Sequence, residues 1–249
     1  LRFIGQLEVE YADGTTQTFA SDESWKYSKK TPYTFCSWYG GEDYDANIAT
    51  QESLQKDVDS WHNAVLCTET IGKLKAQYYQ PTEVVETWHP VSVKAINDSE
   101  YLLDFGQNFA GQYEFTLKGK KGQTIQMWPA ELLNAQGSID QYQIGTPVYD
   151  QYTFSGEADG ETWGPTLVYH GFRYLLVKGL DKAPTTDQFT AKRIRLGVEQ
   201  TGHFCCSNEL LNKIHTLIVR SIASNLYNSL TDCPHREKLG WLEVPQLLY

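Results

Sequence analysis

Thr231-Asp232-Cys233-Pro234-His235-Arg236-Glu237-Lys238-Leu239-Gly240-Trp241 gathers carboxylates, an arginine and a tryptophan into one short run. Charged groups crowded beside a proline, a glycine and a large aromatic suggest a pocket. If the chain is helical from Cys233 on, Asp232 and Arg236 stand four residues apart and can pair, as can Glu237 and Trp241. An indole wall disfavours an ionised carboxyl and raises the Glu237 pKa; a nearby Asp232 carboxylate pushes the same way. The helix N-terminus pushes against both, because its dipole favours anions. A carboxyl held protonated near neutral pH suits a general acid. Glycoside hydrolysis asks for such a group, together with a second carboxylate and aromatic platforms. The structural alternative is an Asp–Arg pair that pins a helix start, with Trp241 in a core. Spacing alone does not choose between them.

The elements that must hold this segment change character at Gly202. After it, Ser207 is a good N-cap, and Leu211, Ile214, Ile218, Ile222 and Leu226 recur at helical spacing. Pro234 ends that helix, and Asp232 caps a second one carrying His235 to Leu242. Before Gly202 the chain reads as β structure. Phe3–Tyr11 alternates, Asp13-Gly14 turns, and Thr15–Phe19 returns. Gly40–Asn47 reads as a polar loop, and Thr82–His89 as a strand between two modules. A second series follows at Val91–Ile96, Tyr101–Phe105, Gln112–Leu117, Thr124–Trp128, Val148–Phe154, Phe172–Val177 and Phe189–Leu196, with Gly106-Gln107-Asn108 as a loop. Short strands with Gly-rich turns predict sandwiches. A long β region followed by helices predicts two folds in one chain.

The 249 residues carry a net charge of -10, which argues against nucleic acid or an anionic membrane as partner. No apolar run approaches the roughly 20 residues that span a bilayer. Aromatic residues make up 13% of the chain, and they serve equally as sugar platforms and as sandwich core. Cys36, Cys67, Cys205, Cys206 and Cys233 form no CxxC pair, so no zinc site is expected. They read as free, mostly buried thiols. The chain opens at Leu1 in mid-pattern and is taken as a piece of a longer protein.

Asp232-Cys233-Pro234-x-Arg236-Glu237-x-x-Gly240-Trp241 matches the signature of the bacterial α-L-rhamnosidases of glycoside hydrolase family 78, and the chain resembles that family along most of its length. Asp104-Phe105-Gly106-Gln107-Asn108 and Gly171-Phe172-Arg173-Tyr174 resemble runs in its β-sandwich. Gly41-Glu42-Asp43-Tyr44-Asp45-Ala46 resembles a motif of its N-terminal domain. The resemblance implies a mainly β chain: an accessory β-sandwich over 1–88, a second antiparallel sandwich over 89–198, and the first helices of a truncated (α/α)6 barrel over 199–249. It implies an inverting hydrolase of terminal α-L-rhamnosyl residues, acting on a rhamnose-containing oligosaccharide or glycoside. Glu237 falls on the general acid. Asp232 falls on a sugar-binding position, and Arg236 and Trp241 line the same pocket. Where many members continue to a further sugar-binding Asp, this chain has Leu242-Glu243-Val244, and Glu243 is the candidate substitute. The general base lies beyond Tyr249 in the family pattern, so the chain alone is expected to be inactive.

No cofactor is expected. Asp43, Asp45 and Asn47 alternate like calcium ligands, but the loop lacks the Gly and terminal Glu of an EF-hand, and turn chemistry reads better. Asp104 and Asn108 read as turn residues. Arg173 is expected to pair with a carboxylate, and His235 to sit at the pocket wall. Two other classes stay open: a non-catalytic carbohydrate-binding β-sandwich protein, and a helical-barrel hydrolase or lyase acting on another sugar.

Overall fold

The computed structural model describes residues 2–48, 61–67, 72–145 and 147–241. In chain order the strands are β1 (Gln6–Glu10), β2 (Thr16–Ala20), β3 (Lys26–Ser28), β4 (Tyr33–Ser37), β5 (Gly41–Asp45), β6 (Trp61–Asn63), β7 (Thr82–Trp88) and β8 (Ser92–Ala95). There follow β9 (Glu100–Leu117), β10 (Thr124–Ala130), β11 (Leu132–Leu133), β12 (Ile139–Asp140), β13 (Asp150–Thr153), β14 (Glu161–Trp163), β15 (His170–Lys178) and β16 (Phe189–Leu196). One α-helix, Glu209–Asn225, is described after them. The chain is mainly β, as its sequence predicts. No helix among the described residues is long and apolar enough to cross a membrane.

The chain divides into two compact units, Leu1–Pro32 with Ile48–Tyr78, and Tyr33–Asn47 with Tyr79–Tyr249. In the first, β1 and β2 form an antiparallel ribbon, and β3 pairs with β6. Asp13 closes the β1–β2 turn by accepting from the Thr15 N–H at 2.9 Å, with Gly14 at φ 82. None of this unit's described residues is buried.

The second unit holds a ten-stranded sheet whose main path runs β4-β5-β13-β10-β15-β9-β16-β7, with β8 and β14 also pairing with β9. Its pairs are antiparallel except β5 and β13, which run parallel. The 18-residue β9 is the spine. It pairs with β8 and β15 along its first part and with β14 and β16 along its second. The sheet curls around Phe105, Phe109, Tyr113, Phe115, Phe172 and Phe189, each at most 1% exposed.

Two stretches expected as loops are strands. Gly106-Gln107-Asn108 does not interrupt β9. The Asp104 carboxylate bonds the Gly106 N–H at 2.7 Å locally, but it also takes both Arg173 donors at 2.8 Å from the adjacent β15. Gly40–Asn47 is not a polar loop, because β5 pairs inside the sheet and Glu42 is fully buried. The Glu42 carboxylate is satisfied by backbone N–H groups of Thr166 and Leu167, the latter at 2.8 Å. A buried charge is tolerated only with such partners. A Cβ at Gly41 would stand 1.9 Å from the Tyr149 carbonyl oxygen, so no larger residue allows this approach. Strands β4, β5 and β7, all within residues 1–88, therefore belong to the larger sheet.

The five cysteines include no disulfide. Cys36, Cys67 and Cys205 are exposed and Cys206 and Cys233 half-buried, which corrects the expectation of buried thiols. The helix is capped by Asn208 rather than Ser207; its side chain accepts from the N–H groups of Leu210 at 2.9 Å and Leu211 at 3.3 Å. Leu210, Leu211, Ile214, Leu217 and Ile218 of its apolar face are exposed.

Candidate active site

The helix delivers the signature segment through a tight return. After Asn225 the chain turns at Leu226–Leu230, and Thr231 comes back to donate its N–H to the Asn225 carbonyl at 2.8 Å and its hydroxyl to the same oxygen at 3.1 Å. A helix end leaves such carbonyls without partners. Leu226 and Tyr227 are tied back to the sheet by the Leu196 N–H at 2.9 Å and the Thr82 hydroxyl at 3.1 Å.

From Asp232 on, the chain is not the expected second helix. Residues 234–237 form a turn, and Lys238 has φ 54, in the left-handed region. The turn closes on Asp232, whose Oδ1 accepts from the N–H groups of Cys233 (2.8 Å) and Leu239 (3.1 Å), while its Oδ2 accepts from the Trp241 indole N–H (3.0 Å). Cys233 contributes its sulfur, which accepts the Glu237 N–H at 3.2 Å. A carboxylate satisfied this way prefers a tight turn to a helix cap, because the turn supplies donors that a helical start would direct elsewhere.

Two expected pairs are accordingly absent. Trp241 does not wall in Glu237; it is 45% exposed and bonds Asp232. Arg236 is exposed, with no bond between its side chain and Asp232. The carboxyls nevertheless split. For Asp232, burial raises the pKa but is outweighed by the Trp241 indole, the Leu239 N–H, the Glu237 carboxyl and the Cys233 N–H, so the group stays below its ordinary value. Glu237 is raised first by its hydrogen bond to Asp232 and then by that carboxylate's charge, with Arg236 opposing. Asp232 already accepts three N–H donors, so the anion is favoured there and the proton on Glu237.

The whole turn is seated on the sheet. At Gly171 of β15 a Cβ would meet the Pro234 ring at 2.5 Å and the His235 ring at 3.2 Å. His235 Nε2 bonds the Glu131 carboxylate at 2.8 Å, and the Asn108 amide bonds its other oxygen at 2.8 Å. Burial would raise the Glu131 pKa, but these two bonds hold it below its ordinary value. Lys238 is 7% exposed. Its ammonium donates to the carbonyls of Trp38 at 2.6 Å and Tyr169 at 2.7 Å, and lies 5.0 and 4.7 Å from their ring centroids. Burial pushes its pKa down to about 8 against the pull of Asp150. Tyr227, in the return after the helix, stacks on Tyr169 at 4.3 Å and completes the aromatic seat.

Three family models match in order: the α-L-rhamnosidase N-terminal domain over residues 1–86, the bacterial α-L-rhamnosidase concanavalin-like domain over 94–195, and the bacterial α-L-rhamnosidase 6 hairpin glycosidase domain over 199–249. The chain belongs to the bacterial α-L-rhamnosidase family. An α-L-rhamnosidase of Formosa agariphila is 35% identical over 95% of this chain and 25% of its own length. The solved α-L-rhamnosidase of Dictyoglumus thermophilum is 36% identical with a TM-score of 0.88, over 98% of this chain and 28% of that one. That of Streptomyces avermitilis, solved in complex with L-rhamnose, is 29% identical with a TM-score of 0.89, over 98% and 24%. The chain thus spans about a quarter of the length of the curated relatives it matches.

In this chain Asp232, Glu237 and Trp241 come together, while the Arg236 side chain stands apart from Asp232 and Glu243 lies outside the described residues. Among the described residues no three His, Cys, Asp or Glu side chains are grouped to hold a metal. Asp45 accepts from the Asn47 N–H at 2.9 Å and its amide at 2.8 Å, which is turn chemistry. Sequence reasoning missed Lys238, Glu131 and Gly171. Of these, Gly171 stands in the run Gly171-Phe172-Arg173-Tyr174 and Lys238 inside the signature segment, while Glu131 lies in no motif.

Proposed function

We propose that the protein is an α-L-rhamnosidase in which Glu237 protonates the departing glycosidic oxygen. The observation that carries this is the split carboxyl pair. Asp232 is pinned as the anion by N–H donors, and its charge keeps the proton on the exposed Glu237. The names of the relatives, and the L-rhamnose bound in one of them, supply the substrate class. Asp232 and Trp241 would meet sugar hydroxyls, with Arg236 at the rim. Asp232 is not read as the base: its oxygens are taken up by the Cys233, Leu239 and Trp241 N–H groups, whereas the base of an inverting glycosidase stands about 6.5–9.5 Å from the acid with a water between them. The base falls to another carboxylate, and the proposed mechanism inverts.

The test is release of phenol from an aryl α-L-rhamnoside by the purified full-length protein, with the first-formed sugar followed by NMR. β-L-Rhamnose is expected; the α anomer would exclude inversion, and no release of rhamnose would remove the assignment. A second expectation concerns pH. The alkaline limb of kcat/KM reports loss of the acid's proton. In Asp232→Asn the charge that raises Glu237 is gone, so that limb moves to lower pH and activity at neutral pH falls. A limb that stays in place would show that Asp232 does not tune Glu237.

A further inference from the structure

A trough of about 490 Å³ lies on the outer face of the large sheet, apart from the signature segment. Its floor is a cross-strand row in which Trp128 opposes Leu176 and Leu176 opposes Leu102. In the next row Lys178 opposes Glu100, and the two pair at 3.6 Å. Tyr142, 80% exposed, stands at the rim. The Trp128 ring is already engaged, by Tyr149 at 4.7 Å and Lys178 at 4.5 Å, so Tyr142 offers the free aromatic face.

This lining has the chemistry of a neutral polyol site. The apolar row suits the C–H face of a pyranose. The paired carboxylate and ammonium accept from and donate to hydroxyls while adding no net charge. The trough also shares a face with the candidate active site. Phe172, Leu175 and Val177 of β15 point into the core, so Gly171, Leu176 and Lys178 point out. Pro234 docks on Gly171, and the trough begins five residues further along the same strand, a span of roughly 17 Å at about 3.3 Å per residue.

We propose that this trough is a glycan subsite holding a neutral, non-reacting saccharide unit of the substrate whose terminal rhamnose is engaged at Glu237. The proposal rests on the rhamnosidase reading, and its test keeps the two apart. Michaelis parameters are measured for wild type, Tyr142→Ala and Leu176→Arg, on an aryl α-L-rhamnoside and on a rhamnose-terminated trisaccharide. The aryl substrate should be handled alike by all three proteins. For the trisaccharide, KM should rise about 3- to 10-fold in Tyr142→Ala, the worth of one aromatic contact, and further in Leu176→Arg. An unchanged trisaccharide KM, or an equal loss on both substrates, overturns the subsite. If the full-length wild type cleaves neither substrate, the rhamnosidase reading falls. Calorimetry with linear neutral trisaccharides then decides: binding weakened by both substitutions upholds the trough, and binding that is unaffected or undetectable overturns it.

Discussion

Glu237→Gln is expected to lower kcat by about 10²–10⁴-fold on rhamnosides with poor leaving groups, the usual contribution of a general acid. Aryl rhamnosides with acidic phenols should lose much less, because their oxygen departs without a proton. The amide keeps the size of the carboxyl and can still donate to Asp232, so the turn should stay folded. The alkaline limb of the pH profile should also disappear, since the group that titrates there is gone. Near-normal rates on an alkyl rhamnoside would take Glu237 out of the proton-donor role. A uniform loss across all leaving groups would point to binding rather than acid catalysis.

Lys238→Met is expected to lower turnover by about 10- to 100-fold, the scale of effect when a reacting group is misplaced by an ångström. Lys238 follows Glu237 directly and is the peg that seats the turn on the carbonyls of Trp38 and Tyr169. Methionine matches its length but leaves both buried carbonyls without a donor, and such groups are costly to strand. A second readout separates the peg from general loss of stability. The folded pKa of about 8 lies below the ordinary 10.5, so the unfolded chain binds more protons between those values. Wild-type stability should therefore gain a rising contribution as pH climbs from about 8 toward 10. That contribution should be missing in Lys238→Met. Denaturant midpoints that track each other across this range would show that the lysine is not buried as a cation, and unchanged turnover would show that it is not the peg.

Much of the fold was legible in the sequence, for physical reasons that also mark the limits. Phe189–Leu196 is a strand where alternation and β-branched residues place one. The start of the helix was found within two residues because its apolar spacing is periodic, but its cap is Asn208 and not Ser207, and it ends at Asn225, well before Pro234, where the chain turns back at Leu226–Leu230. The polar run around Glu42 misled because sequence shows a carboxylate but not the backbone N–H groups that make its burial tolerable. The same limit governed the candidate site. Aspartate, glutamate and tryptophan were readable as partners, but their pairing followed helical spacing. The actual turn depends on Asp232 collecting N–H donors from Cys233, Leu239 and Trp241. The influence of Asp232 on Glu237 was legible because charge acts whatever the backbone does; the indole wall was not, because it required one particular backbone. Lys238 was invisible as an anchor, since its partners are main-chain oxygens at positions 38 and 169.

The close seat of Pro234 and His235 on Gly171 bears on how such proteins are recombined. Swapping catalytic halves between relatives at the β-to-helix border near residue 198 would separate this seat from the segment that fits it. A chimera made that way inherits a loop shaped for one platform and a platform shaped for another loop. Grafts that carry Trp38, Glu131, Tyr169 and Gly171 along with residues 231–241 move the joint as a unit, so the natural cut point for exchange is not the boundary between secondary-structure types.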